Sequence, residues 1–111
     1  MPSPAVVTAY ETALPDDPRV QRKQMFGSPC AFVNRQMFFG TFEDTLVARI
    51  GPRRVSGLAE LPGMQVFTPT EGKQWDDYLQ MDLTVEPERF AELAIEALAW
   101  AAALPKKVKR P

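Results

Sequence analysis

The sequence contains no histidine, and that single absence removes several chemistries at once. Without imidazole there is no Ser-His-Asp or Cys-His pairing, no histidine-ligated metal, and no side chain that ordinarily titrates near pH 7. One cysteine, Cys30, leaves no partner for an internal disulfide and too few thiolates for a zinc or iron–sulfur site within one chain. No Gly-x-Gly-x-x-Gly or Gly-Lys-Ser/Thr sequence is present, so nothing points to a dinucleotide or P-loop site. No window reaches the ~18 consecutive apolar residues of a membrane span. The N-terminus has neither a basic nor a long apolar region, so no secretory signal is read there. With a lone thiol as well, a cytoplasmic location is the expectation.

At 111 residues the chain is expected to make a single domain, residues 1–105, followed by a basic solvated tail, 106–111. Lys106, Lys107, Lys109 and Arg110 carry four of the thirteen basic residues. The body therefore holds nine cations against fourteen acids, a net of −5. Such a body repels phosphate backbones, so specific nucleic-acid binding is not expected of it. The tail could add weak nonspecific phosphate contact.

Hydrophobic periodicity places the elements. Ser3 and Pro4 are a helix cap and first position, and Val6, Val7, Tyr10, Ala13 and Leu14 follow at helical spacing. Pro15 and Pro18 close that helix. From Arg19 the period becomes two, an edge strand. Three short strands follow, 30–33, 36–42 and 45–50, joined at Asn34-Arg35 and Glu43-Asp44. Links that short make antiparallel neighbours, a β-meander. Residues 53–61 read as a short helix on Val55, Leu58 and Leu61. Residues 64–68 read as a strand and 70–77 as a polar loop containing Trp75. Residues 78–85 alternate, with Leu79, Met81, Leu83 and Val85 on one face and Asp82 on the wet one. Pro87 opens a last helix whose stripe runs from Phe90 through Leu93, Ala94, Ala97, Leu98 and Ala101 to Leu104. The expectation is an α+β fold: an antiparallel meander sheet packed with an N-terminal, a short middle and a C-terminal helix.

Two features exceed the needs of a small core. The 37–42 strand is apolar on both faces, with Met37 and Phe39 on one side and Phe38 and Phe42 on the other. The helix end 97–104, around Trp100, has no polar face, and helices of that kind bury against more than one surface. Internal packing is one reading of both, and a subunit or partner interface is the other.

The chemistry-bearing residues are sparse. Cys30 has no local cation or helix N-terminus to lower its pKa and reads as a buried structural thiol. Asp76, Asp77 and Asp82 match no metal-ligand spacing. Arg22, Lys23, Arg35, Arg49, Arg53 and Arg54 could gather to receive an anion, with surface pairing as the plainer reading. No catalytic, cofactor or metal site is assigned.

From Met25 the chain runs Met-Phe-Gly-Ser-Pro-Cys-Ala-Phe-Val-Asn-Arg-Gln-Met-Phe. This block resembles the signature of the TfoX N-terminal domain family: Met-Phe-Gly-Gly, an apolar strand, Asn/Asp-Gly, then a Met-Phe strand. The later order (residues 46–50, Phe67, a strand at Tyr78 and an Ala-rich closing helix) is also similar. Ser28 stands for the second glycine and Arg35 for the turn glycine. The resemblance implies an α+β domain in a bacterial protein. The family's competence regulators work with a cAMP-responsive transcription factor and carry a second, helical domain that this sequence does not contain. No catalytic motif comes with the family.

The expectation is thus a non-enzymatic interaction module with a regulatory role through protein contact, most simply as a homodimer. The alternative is a small-ligand-binding or enzymatic domain with a pocket between the sheet and the last helix. The candidate partner or pocket residues are Cys30, Phe32, Met37, Phe39, Trp75, Tyr78 and Trp100.

Overall fold

Helix α1 (Pro4–Ala13) begins where the sequence places it. The Ser3 hydroxyl accepts a hydrogen bond from the Val6 amide at 3.4 Å, and Pro4 occupies the first turn. Val6, Tyr10 and Ala13 form its buried face. The computed structural model describes residues 2–25 and 27–104, without the side chain of Met25. The basic tail lies outside the described residues.

Four strands follow as a meander: β1 (Gln21–Met25), β2 (Ser28–Val33), β3 (Gln36–Phe42) and β4 (Thr45–Arg49). Their turns demand left-handed backbone at non-glycine positions. Asn34 and Arg35 both adopt it, with φ of 51° and 65°, as a two-residue hairpin turn requires. Arg35 costs about 1 kcal/mol there. Helix α2 (Pro52–Leu58) comes next, then β5 (Met64–Thr70), β6 (Lys73–Met81) and helix α3 (Pro87–Ala103). The six strands form one antiparallel sheet in the order β1-β2-β3-β4-β6-β5.

Three sequence expectations are corrected. Residues 73–77 continue β6 rather than forming a loop, because Gly72, at φ 81°, turns the chain tightly and Lys73 pairs with Thr70. The polar composition of 73–76 reflects exposure at the hairpin tip. Strand β6 then stops at Met81 instead of Val85. There Asp82 Oδ1 accepts from the Thr84 amide at 2.9 Å and also from the Thr84 hydroxyl, making a side-chain-closed turn. Leu83 is left exposed while Val85 is buried. Finally, α2 ends at Leu58, and Leu61 sits exposed in the following turn.

The helices gather on one face of the sheet. Val6 and Tyr10 of α1, Val55 and Leu58 of α2, and Phe90, Leu93, Ala94 and Leu98 of α3 share one core with Leu46, Ala48, Leu79 and Met81. A register shift between Ala31 and Phe32 changes the parity of β3. Ala31 pairs with Phe39 and Phe32 with Met37, so Phe38 is the extra residue of a bulge. As a result Phe38 and Phe39 both enter the helix-side core. The expected pairing of Met37 with Phe39 on one face does not occur.

Candidate functional site

The second face of the sheet has its own apolar layer. Cys30, Val47 and Phe67 are buried yet stand apart from the helix-side core. They line a cavity of about 370 Å³ together with Met37, Phe42 and Trp75. Strand order makes this possible. Gly40 pairs with Cys30 on one side and Val47 on the other, and its lack of a side chain lets Cys30 pack close against it. The β5–β6 hairpin, with register shifts on both sides of Phe67, then brings aromatic rings to the rim. Phe67 meets Phe42 edge-on at 5.0 Å and Trp75 edge-on at 5.3 Å. Tyr78 lies 5.4 Å from Trp75. Such edge-to-face contacts hold the rings in fixed relative orientation.

A polar brace stiffens one end of this layer. Arg49 Nε donates to Asp77 Oδ2 at 2.6 Å and Nη1 donates to Gln36 Oε1 at 2.9 Å. The guanidinium lies 5.5 Å from the centre of the Tyr78 ring. The Tyr78 hydroxyl donates to the Met37 carbonyl at 3.1 Å, tying β6 to β3 across β4. Burial pushes the Tyr78 phenol above its usual pKa, with Arg49 opposing the shift. Further along, Gln65 Nε2 donates to Gln80 Oε1 and Gln80 Nε2 to the Thr45 hydroxyl, a polar row beside the apolar patch.

The sequence-derived candidates separate on this frame. Cys30, Met37 and Trp75 line the cavity, and Tyr78 abuts it through Trp75. Phe32 is half-buried beneath the Lys23 ammonium, 4.9 Å from its ring centre, and is not part of the lining. Phe39 is fully buried on the helix side, stacked on Tyr10 at 5.6 Å, and offers no surface; the bulge put it there. The expected pocket between sheet and last helix is replaced by packed core, and the cavity lies on the opposite face. Trp100 sits elsewhere again. Its ring covers Gly51 in an open apolar groove with Pro52 and Ala99, beside the Arg54–Glu96 pair. Within 97–104, Ala97, Leu98 and Ala101 are buried, while Ala99, Trp100 and Ala103 remain exposed.

The place of Phe67 at the cavity and the pairing of Arg49 with Asp77 have no signal in the sequence. Residues 70–77 read as a polar loop, and Gly72 is the residue there that fits a hairpin turn. The six candidate cations do not gather. They are spread over β1, the β2–β3 turn, β4 and α2, with Arg49 and Arg54 already paired. Among the described residues no three acids or thiols come together as metal ligands, and no helix is long and apolar enough to cross a membrane. Fold and site together define an α+β protein with helices on one sheet face and an aromatic-rimmed cavity on the other. Comparison with protein-family models, with curated proteins and with solved structures finds no match.

Proposed function

We propose that the chain is a non-enzymatic interaction module that works through the helix-free face of its sheet, as a homodimer in a bacterial, TfoX-like regulatory setting. The observation that carries this reading is the apolar layer of Met37, Phe42, Phe67 and Trp75, which no helix of the described residues covers. Trp75 is 41% exposed, a large aromatic surface beside a depression, and such patches are rare unless something docks on them. The regulatory setting rests on the 25–38 sequence block and the order of elements. A second copy is the simplest cover, because two-fold pairing lets one patch bury itself. Sedimentation equilibrium across a concentration series tests it. Wild-type chain should be dimeric, and Trp75→Glu should be monomeric with an unchanged circular dichroism spectrum. A wild-type monomer at high micromolar concentration would overturn the reading.

A second reading has its own observation. The cavity volume, about 370 Å³, lies within the range of small-molecule sites. A thermal-shift screen against apolar metabolites separates the two. Saturable stabilisation of a monomer favours the ligand.

A further inference from the structure

A second concavity lies where α1 meets the edge strand β1, far in character from the aromatic cavity. Its lining includes Val7, Tyr10 and Glu11 from the helix, Arg22 and Lys23 from the strand, and Pro29. Tyr10 is 2% exposed, and its hydroxyl makes no hydrogen bond with any described residue. Buried hydroxyls are almost always partnered, so an orphan at the wall of a cleft asks for a ligand atom. Among the described residues Arg22, Lys23 and Glu11 form no ion pair, although the Lys23 ammonium also lies over Phe32.

We propose that this cleft binds a small carboxylate, with the Tyr10 hydroxyl donating a hydrogen bond to one carboxylate oxygen and the Arg22 guanidinium supplying the opposite charge. Two cations against one acid leave a single positive charge in the lining, which matches a monoanion. Inorganic phosphate, averaging about one and a half negative charges at neutral pH, would meet Glu11 with charge left over. Val7 and Pro29 provide an apolar wall for a short hydrocarbon chain. The phenol is suited to donate. Burial, with Cys30 and Glu11 adding and Arg22 opposing, pushes its pKa up to about 12, so the proton stays on at neutral pH. The hydroxyl is shielded from bulk water, so the ligand must displace lining side chains to reach it. Glu11, Arg22, Lys23 and Gln24 are all exposed, so they can give way at little packing cost.

The test uses the full chain, titrated with sodium acetate and sodium hexanoate against sodium chloride of equal ionic strength, read by thermal shift and by amide NMR. Hexanoate should raise the unfolding midpoint saturably and move the amides of residues 22–24 and of α1. Tyr10→Phe and Arg22→Gln should each bind it about tenfold more weakly, the loss of one charge-assisted hydrogen bond. Arg22 is exposed, so its variant folds whatever Tyr10→Phe does. The proposal is overturned by the absence of a saturable shift in the tens of millimolar, by wild-type affinity in both variants, or by tighter binding of inorganic phosphate than of either carboxylate.

Discussion

Gly40 and Cys30 are cross-strand partners, and a Cβ placed on Gly40 would stand 2.9 Å from the Cβ of Cys30 and 3.2 Å from its Cα. The two residues share one side chain's worth of space beside the cavity that Cys30 lines. Replacing a strand glycine with alanine ordinarily stabilises slightly by restricting the unfolded chain. Here the clash wins, because both nearest atoms belong to the backbone or the root of a side chain and cannot swing away. Gly40→Ala is expected to lose about 1–3 kcal/mol in urea unfolding. Adding Cys30→Gly should recover part of the loss. A stabilised Gly40→Ala variant would contradict this pairing.

Gly51 is held more tightly still. Its φ of 91° and ψ of 154° belong to a region that only glycine occupies comfortably, and a Cβ there would lie 2.6 Å from the Trp100 ring. Gly51→Ala should cost about 1–3 kcal/mol for backbone strain alone. The indole must also move, so tryptophan fluorescence should report the change. Trp100→Ala in the same chain should relieve the crowding but not the strain. Equal stability of Gly51→Ala and wild type would refute the argument.

Cys30 is 2% exposed and its thiol donates to the Lys23 carbonyl at 3.6 Å. Labelling by a thiol reagent in native buffer should therefore be at least about a hundredfold slower than in denaturant, since it waits for local opening. Native and denatured rates that coincide would show the cavity to be open to reagent.

Alkaline stability follows from the tyrosines. The unfolded chain releases the Tyr10 proton near its usual pKa of 10, whereas the folded chain keeps it until about 12. Within that window the folded state binds the extra proton, so stability is intact below pH 10 and falls as pH rises toward 12. Tyr78, shifted in the same direction by burial, adds to the fall. Tyr10→Phe should flatten the slope. It should also gain about 1–3 kcal/mol at neutral pH by removing an unpartnered buried hydroxyl. An alkaline slope equal to that of wild type would show that Tyr10 is not the group responsible.

The legible parts of the molecule were those with local causes. Ser3-Pro4 marks a helix start through capping chemistry, and two-residue links between apolar strands leave no geometry except the hairpin. The helix stripe from Phe90 to Ala101 could be read directly from spacing. The misread parts had causes elsewhere in the chain. Trp75 looked like loop because the hairpin tip around it is polar on both sides. Leu83 looked like strand because nothing in its own neighbourhood announces that Asp82 will bond the Thr84 amide. For the candidate surface, Cys30, Met37 and Trp75 reached the cavity, while Phe39 was carried into the core by one extra residue in β3.

By itself, then, the sequence determined most of the helix and strand segments, and that the strands at 30–33, 36–42 and 45–50 form a meander. Those outcomes depend on interactions within a few residues. Only the tertiary structure decided that β6 inserts between β4 and β5, that the bulge at Phe38 reassigns the faces of β3, and that Phe67 and Trp75 meet Cys30 and Val47 around one cavity. Each of these depends on pairing between residues distant along the chain. Alternation states that a strand has two faces, but the partner strand and its register decide what each face meets.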